Sequence, residues 1–444
     1  MSTYLILNAK IVNEGDITEG DVLIKNGRFE KIAGDLSSYD ADTTIDAKGM
    51  ALFPGMIDSQ VHFREPGLTH KGELATESRA AVAGGITSFM DMPNTIPNTL
   101  TSEILEEKYS LASQKSLANY SFYFGAANNN LENIKRLDPK AACGIKVFMG
   151  ASTGNMLVDD PATLEGIFEH APTLIATHCE DTPTILANEA KMREKYGDDI
   201  PIELHPEIRS REACIKSSQL AIELAKRFDS RLHVLHITTA EEALGFDAEP
   251  LTNKKITAEA CVHFLHFSDE DYAEKGALIK CNPAIKTAAD KAAIIQALHE
   301  NRLDLIATDH APHSWEEKQG NYFQAPSGLP LVQHALLVVL EHYHDGEFTL
   351  PFIAHKTSHA VAECFNIHER GYIREGYWAD LVLIDLNQPT LASHDTALSK
   401  CGWTPFDGYR FRSRIHSTMV SGELVYHDGN FISSQPGHRL KFHR

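Results

Sequence analysis

Five polar residues stand at or near the ends of apolar, strand-like runs, and their types are those that hold catalytic metal ions. A lone histidine after a strand is usually structural. Imidazoles, a carboxylate and a potential bridging group at matching positions are instead what a hydrolytic metal centre needs to make hydroxide from water near neutral pH. The pattern therefore predicts a metal-dependent hydrolytic site. Its residues are His62, Lys146, His178, His236 and Asp309.

The apolar runs before these residues predict the elements that bring them together. Short strand-like runs alternate with helical stretches from about Leu52 to Asn366. Eight such units in about 300 residues are typical of a (β/α)8 TIM-type barrel, whose active site lies at the carboxyl ends of its strands. The fold class is therefore α/β. The predicted strands are 55–62, 86–92, 120–126, 144–149, 173–178, 231–237, 255–261 and 303–309.

Both chain ends follow a different pattern. YLILNAKIV and DVLIKNGRFEKIA alternate apolar and polar residues around Asn26-Gly27, and STMVSGELVYHDGNFI does the same around Asp428-Gly429. These dipeptides are strong hairpin signals. We therefore predict a small β-sandwich domain built from residues 1–53 and 366–444, around a catalytic barrel of residues 54–365.

Composition excludes several classes of function. The 444 residues include 41 Lys and Arg against 61 Asp and Glu, a net charge of −20, which disfavours nucleic-acid and anionic membrane partners. No run of about 18 apolar residues predicts a membrane span, and the first residues do not resemble a signal peptide. Seven cysteines without a C-x-x-C pair favour a reducing compartment. These features predict a cytoplasmic enzyme.

Seven stretches of the sequence resemble the amidohydrolase superfamily, and within it the dihydroorotase group of cyclic amidohydrolases. Five of them contain the predicted metal-binding residues. GYIREGYWADLVLID (371–385) also resembles that group's return from the barrel to the β domain. The similarity covers nearly the whole chain in the right order. The seven stretches are PGMIDSQVHFREPG (54–67), GGITSFMDMPNT (84–95), CGIKVFMGASTGNM (143–156), ATHCED (176–181), LHVLHITTAEEAL (232–244), KCNPAIK (280–286) and ATDHAPH (307–313).

The resemblance implies a zinc centre of one or two ions. His178 and His236 would hold one ion, and His62 and Asp309 the other. Lys146 would carry a carboxyl group on its ε-amine and bridge the two, and Asp309 would also be the general base and acid. This chemistry suits Lys146 because burial lowers the pKa of a lysine and makes its amine nucleophilic. The alternative is a lysine that extends from its strand to solvent.

The resemblance also implies the substrate contacts. Arg64 and Asn94 would bind a substrate carboxylate, while Asn282, His313 and the backbone around Gly328 would contact the ring. A planar guanidinium is suited to a carboxylate. The implied reaction interconverts N-carbamoyl-L-aspartate and (S)-dihydroorotate, both anions, in pyrimidine (UMP) biosynthesis. Hydantoinases and allantoinases open neutral rings by the same chemistry and are the first alternative.

Arg64 and His313 each have an alternative explanation that involves no function. Arg64 has Glu65 and Glu73 as nearby candidates for a surface salt bridge. His313 lies in a predicted loop, where a histidine often has no function.

The segment 150–155, GASTGN, lacks the GK[ST] of a phosphate loop, and we interpret it as an active-site loop.

Gln60 departs from the family pattern. The family's first strand ends in D-x-H-x-H, and here the first histidine is Gln60. Neutral amides are poor zinc ligands beside imidazole. Gln60 would ligate weakly, or the second metal site would be weak or empty, or activity would be lost. In the last case the chain would be a scaffold for a partner such as aspartate transcarbamoylase. The resemblance also makes a homodimer one expected assembly.

Overall fold

The N-terminal segment forms five strands of a sheet that the C-terminal segment completes. The structure, a computed structural model, describes residues 2–150 and 156–444. Asn26 and Gly27 connect the second and third strands with φ angles of 53° and 80°, which is the turn that the sequence predicts. The strands are β1 (Tyr4–Asn13), β2 (Asp16–Lys25), β3 (Arg28–Ala33), β4 (Thr43–Asp46) and β5 (Ala51–Pro54).

The middle of the chain forms a barrel of parallel strands. Two of the strand segments, 119–122 and 124–125, are separated only by Tyr123 and occupy one position, so the barrel has eight. This confirms the predicted (β/α)8 class. The segments are β6 (Met56–Val61), β7 (Ile86–Asp91), β8 (Asn119–Phe122), β9 (Phe124–Gly125), β10 (Ile145–Phe148), β11 (Ile175–His178), β12 (Leu232–Val234), β13 (Ile256–Cys261) and β14 (Leu305–Ala307).

The barrel closes between its first and last strands. Val61 forms a parallel bridge with His310, and the His62 amide donates to the His310 carbonyl at 2.7 Å. Burial on both faces explains why these strands read as continuous apolar runs. Closure places the residues that follow β6 beside those that follow β14, although they are far apart in sequence.

Helices connect the strands and cover the barrel. The longest is an example of how sequence sets their limits: the Ser210 side chain accepts from the Ala213 amide at its start, and Asp229 ends it in a left-handed conformation. The helices are α1 (Leu74–Ala83), α2 (Ser102–Lys115), α3 (Leu131–Lys135), α4 (Pro161–His170), α5 (Thr182–Tyr196), α6 (His205–Ile208), α7 (Arg211–Phe228), α8 (Ala240–Leu244), α9 (Val262–His266), α10 (Tyr272–Lys275), α11 (Ala288–His299), α12 (Trp315–Lys318), α13 (Ala335–His344), α14 (Leu350–Ala354) and α15 (Ala360–Phe365).

The C-terminal strands return to the sheet of the N-terminal segment. The first of them, Leu381–Asp385, pairs antiparallel with β5, so the two chain ends share nine strands and one apolar cluster. The cluster contains side chains from the N-terminal strands and from the C-terminal strands of the sheet. The C-terminal strands of this sheet are β15 (Leu381–Asp385), β18 (Arg414–Val420), β19 (Glu423–His427) and β20 (Asn430–Phe431), while β16 (Thr390–Leu391) and β17 (Arg410–Phe411) pair with each other in a separate two-stranded sheet.

Two predicted strand ends were wrong. Strand β12 ends at Val234 and β14 at Ala307, each two residues before the predicted metal ligand. His236 and Asp309 have φ angles of 43° and 54°, a left-handed conformation that no strand adopts. Arg64 also has a positive φ, 69°. Backbone strain of this kind concentrates at functional sites, where the surrounding fold holds it in place.

Among the described residues, no helix is both long and apolar enough to cross a membrane. Residues 151–155 of the segment 150–155, interpreted above as an active-site loop, lie outside the described residues.

Candidate functional site

A polar cavity lies at the carboxyl ends of the barrel strands. Its empty volume, including the open mouth, is about 440 Å³. All five predicted metal ligands line it, together with four other residues singled out from the sequence. The wall consists of Gln60, His62, Arg64, Lys146, Phe148, His178, His236, Cys281, Asn282, Asp309, Ala311, Ser327 and Gly328.

His178 and His236 face each other across one side of the cavity. His178 Nδ1 lies 3.0 Å from His236 Nε2, and His178 Nε2 lies 2.9 Å from Glu180 Oε2. Burial lowers the pKa of both histidines, so both rings are neutral and His178 donates its proton to Glu180. The Nδ1 lone pair of His178 therefore points into the cavity, which is the orientation that a metal ligand needs.

Glu180 holds this orientation. Its carboxylate is fully buried and also accepts from Arg209 Nη1 at 2.6 Å. Burial raises the pKa of the Glu180 carboxyl, but the charge of Arg209 and the hydrogen bond from His178 outweigh it and lower the pKa well below its usual range. Glu180 is thus a permanent anion behind His178.

His62 and Asp309 form the second pair. His62 Nδ1 lies 2.9 Å from Asn94 Oδ1, so this nitrogen carries the proton, and His62 Nε2 lies 3.3 Å from Asp309 Oδ1. Burial raises the pKa of Asp309, yet the contact with His62 lowers it to about 2. A lone pair and a carboxylate oxygen that face each other need a cation between them, either a proton or a metal ion.

Lys146 lines the same cavity as the two pairs. It is 1% exposed, and its Nζ is 4.6 Å from the centre of the Phe148 ring. Burial lowers its pKa to about 8, and within the described residues no carboxylate forms an ion pair with it. The side chain therefore does not extend to solvent, which excludes the alternative raised from the sequence.

The donor set fits a metal when Lys146 is carboxylated. Across residues 2–150 and 156–444, no three His, Cys, Asp or Glu side chains converge on one point, so each pair lacks a third ligand. Two donors bound to one tetrahedral zinc at about 2.05 Å lie about 3.3 Å apart. The pairs measure 3.0 and 3.3 Å. A carbamate on Lys146 would supply each pair with its third ligand.

Gln60 presents a donor rather than a ligand. Its Nε2 donates to Asp309 Oδ1 at 3.0 Å, and its Oε1 faces Cys261 Sγ at 3.8 Å. If the amide turned its oxygen toward the cavity, it would place that oxygen against the Asp309 carboxylate. The Gln60 side chain therefore presents its amide nitrogen, and not its oxygen, to Asp309.

Arg64 is a buried cation that forms no ion pair with a carboxylate within residues 2–150 and 156–444. It is 4% exposed; its Nε donates to the Pro312 carbonyl at 3.0 Å, and its Nη2 lies 3.1 Å from His313 Nε2. Burial lowers its pKa only to about 10, so it stays charged. Glu65 and Glu73, its candidate surface partners, instead pair with Lys115 and Lys400.

His313 is fixed beside Arg64. It is 2% exposed, its Nδ1 lies 3.0 Å from Lys71 Nζ, and its Nε2 lies 3.0 Å from the Ser327 carbonyl. Burial and the positive charges of Arg64 and Lys71 lower the pKa of His313 well below its usual range. It is therefore a neutral, hydrogen-bonded side chain and not a free loop histidine.

The other predicted substrate residues divide into two groups. Asn282 and Gly328 line the cavity. The Asn282 amide is best placed with its nitrogen on Ser327 Oγ at 3.0 Å and its oxygen on Arg209 Nη2 at 3.1 Å. Asn94 forms the second group: its Oδ1 contacts His62 Nδ1, and it is not among the described residues that line the cavity. Its contact with substrate stays a prediction.

Sequence reasoning missed three residues that support the site: Glu180, Arg209 and Lys71. Glu180 could have been found, since it lies two residues beyond His178 and therefore on the same side of an extended chain. Arg209 and Lys71 come from loops, and no local pattern marked them. The cysteines near strand ends are buried and unpaired, as expected of packing residues.

Comparisons with known proteins agree with this geometry. A model of the amidohydrolase family matches residues 51–425. An allantoinase from Bacillus velezensis is 31% identical over 96% of this chain and 94% of its own length. A dihydroorotase from Methanosarcina acetivorans is 31% identical over 97% of this chain and 93% of its own. The solved structure of an L-hydantoinase (dihydropyrimidinase) from Arthrobacter aurescens, 26% identical, covers 99% of this chain and 100% of its own with a TM-score of 0.94.

Proposed function

The chain belongs to the amidohydrolase family, and we propose that it is a zinc-dependent dihydroorotase. It would interconvert N-carbamoyl-L-aspartate and (S)-dihydroorotate in pyrimidine biosynthesis. The relatives it resembles are cyclic amidohydrolases that are named for different ring substrates. The substrate of this chain must therefore be argued from the residues of its own cavity.

Arg64 is the observation that carries this choice. A buried cation without a counter-charge is costly, and a bound anion removes that cost. Lys71, within 3.0 Å of His313, already pairs with Glu317, so a substrate carboxylate is left to Arg64. Dihydroorotate carries a carboxylate that Arg64 can bind through two N–H groups. A neutral ring would leave the guanidinium buried and uncompensated.

The remaining residues account for the chemistry. A zinc ion held by His178, His236 and carboxylated Lys146 would, when bound, supply a water of lowered pKa and polarise the ring carbonyl. Asp309 is ionised at neutral pH, so its carboxylate can take the proton of the attacking water and pass it to the ring nitrogen. Gln60 Nε2 orients that carboxylate. Ring closure uses the same groups in reverse.

The test is a comparison of two rings. Arg64→Met should lower kcat/KM for dihydroorotate by more than about a hundredfold, because the substrate carboxylate loses its charged partner in a buried site. Turnover of neutral dihydrouracil should change by less than about threefold. Arg412→Met is the control, since that arginine already has Glu341 and Asp345 as partners outside the cavity.

Three results would contradict the proposal. Equal losses for both rings would show that Arg64 does not select the carboxylate. Wild-type protein that opened only neutral rings would make the chain a hydantoinase-like or allantoinase-like enzyme. Protein with no zinc after dialysis against zinc, and with no turnover of either ring, would support the scaffold alternative.

A further inference from the structure

Lys318 is a buried lysine that the reaction does not use. It ends helix α12 and is 2% exposed. Its Nζ lies 2.9 Å from the Pro326 carbonyl, 3.0 Å from the Gly328 carbonyl and 3.3 Å from the Lys280 carbonyl. An ammonium group has three donors, and here each has one backbone acceptor.

Lys280 is a second buried lysine that binds backbone carbonyls of the same segment, residues 322–328. It is 7% exposed, and its Nζ donates to the carbonyls of Tyr322 and Ala325, the latter at 2.7 Å. Its own carbonyl accepts from the Gly328 amide at 2.8 Å as well as from Lys318. Two lysines from different parts of the chain therefore bind the backbone of residues 322–328 at four carbonyls.

The bound loop forms part of the cavity. Ser327 and Gly328 line it, and the Ser327 carbonyl holds His313. Gly328 has φ 146°, and a Cβ there would lie 2.3 Å from the Ala311 carbonyl oxygen and 3.0 Å from the His313 ring. Gly328 is thus packed so closely that no side chain fits there, and the carbonyl contacts of the loop oppose its movement away from the site.

Carboxylates do not explain the burial of these lysines. In the described ranges neither lysine forms an ion pair, and the neighbouring Glu317 pairs with Lys71 at 3.0 Å. Burial lowers the pKa of Lys318 to about 7 and of Lys280 to about 8. A lysine that merely filled space would be replaced by an apolar residue at lower cost. The carbonyl contacts are what these ammonium groups supply.

We propose that Lys318, assisted by Lys280, is a positioning residue that fixes the backbone of residues 322–328, and through it Ser327, Gly328 and His313, where the ring binds. The role of this loop as a ring contact rests on the proposed function. The attachment of the loop by the two lysines does not depend on it. Neither lysine touches the reacting atoms.

The experiment uses the full-length, metal-loaded protein and two readouts. Lys318→Met keeps the length of the side chain and removes its three donors. We expect hydrogen exchange of peptides covering residues 320–328 to rise by about tenfold or more, since their local opening becomes easier. We also expect KM to rise by about tenfold while kcat changes by less than about threefold, because the loop positions substrate and does no chemistry.

Lys356→Met is the matched control. Lys356 is also a buried lysine, 1% exposed, and donates to the Leu303 carbonyl at 3.0 Å. That contact lies before strand β14, at the opposite end of the barrel from the cavity. Its removal should lower the melting temperature without changing exchange at 320–328 or KM. Lys280→Met, which removes the Tyr322 and Ala325 contacts, gives a second test if Lys318→Met does not fold.

The outcomes separate the two proposals. Wild-type exchange at residues 320–328 in Lys318→Met or Lys280→Met would overturn the positioning role, with or without a known substrate. A loss of kcat with unchanged KM would also overturn it, since this indicates only less folded enzyme. KM is measured on whichever ring the wild type opens, so failure of dihydroorotate as substrate would refute the proposed function alone.

Discussion

The two ends of the barrel bury positive charge in different ways. At the amino end, Lys254 Nζ lies 2.8 Å from Asp304 Oδ1, and Asp304 Oδ2 in turn accepts from the Ala258 amide at 2.9 Å. At the carboxyl end, Arg64 and Lys146 line the cavity, and in the described residues neither has a carboxylate ion pair. The charge of Lys254 is neutralised within the fold, whereas the charges of Arg64 and Lys146 face whatever enters the cavity.

This difference separates stability from function. A buried ion pair satisfies its own partners and holds strands together, whereas an uncompensated buried cation favours binding of an anion. Under the proposed function, the partners at the cavity would come from outside the chain: CO2 for the neutral amine of Lys146 and a substrate carboxylate for Arg64. Substitutions at the two ends should therefore alter different measurements.

The largest effect is expected at Lys146. Lys146→Met should lower kcat by more than about a thousandfold, because each donor pair loses its third ligand. Protein exposed to ¹³C-labelled CO2 should also lose its carbamate signal in the ¹³C NMR spectrum. Burial lowers the pKa of Lys146 to about 8, so its neutral, reactive fraction rises with pH through this range. A kcat of Lys146→Met within about tenfold of the wild type would remove this lysine from the centre.

At the opposite end, Asp304→Asn should affect stability alone. It leaves the Lys254 ammonium buried without its counter-charge, which should lower the free energy of unfolding by about 3 kcal/mol. Both kcat and KM of the folded fraction should stay unchanged. Denaturant unfolding and steady-state kinetics on the same preparation provide the check. A change in KM would show that the two ends are coupled, and the contrast between them would fail.

Glu180→Gln should have an intermediate effect on metal affinity. Removal of the carboxylate behind His178 should weaken zinc binding by about 10- to 100-fold, because the imidazole loses the anion that keeps its proton on Nε2 and leaves Nδ1 free to bind the metal. Competition with a chelator of known affinity measures this. Glu242→Gln is the control: Glu242 is also buried at this end of the barrel but contacts Thr239 and no predicted ligand. Equal affinities in the two variants would show that Glu180 has no orienting role.

The sequence predicted the barrel because its signal is local and repeated. Eight apolar runs, each buried on both faces, mark eight strands. The hairpin dipeptides predicted the turn at Asn26-Gly27 for the same reason. Strand ends were less predictable, since no pattern reports that His236 and Asp309 leave their strands in a left-handed conformation.

The residues that support the site could not be predicted, because their charged types normally indicate exposed positions. Lys318 follows Trp315-Glu316-Glu317, a run typical of an exposed helix end, yet it is buried. Burial of a charged side chain depends on which loop packs above it, and that loop is contributed by residues 320–328. Arg64 and the metal ligands could be named from a family resemblance, but their lack of partners within the chain appears only in three dimensions.

The smallest effect is expected at Gln60, and it tests whether the cavity is complete. Gln60 donates to Asp309 and turns its oxygen toward Cys261, so the His62 side lacks the imidazole of the family pattern. Gln60→His should therefore raise the zinc content per chain after equilibrium dialysis, while kcat changes by less than about tenfold, since one zinc suffices to activate water. Gln60→Leu, which removes the hydrogen bond and adds no ligand, should leave zinc content unchanged and lower kcat through a less oriented Asp309. If Gln60→His bound no more zinc than the wild type, position 60 would lie outside the coordination sphere. The His62 side of the cavity would then serve to hold Asp309 rather than a second ion.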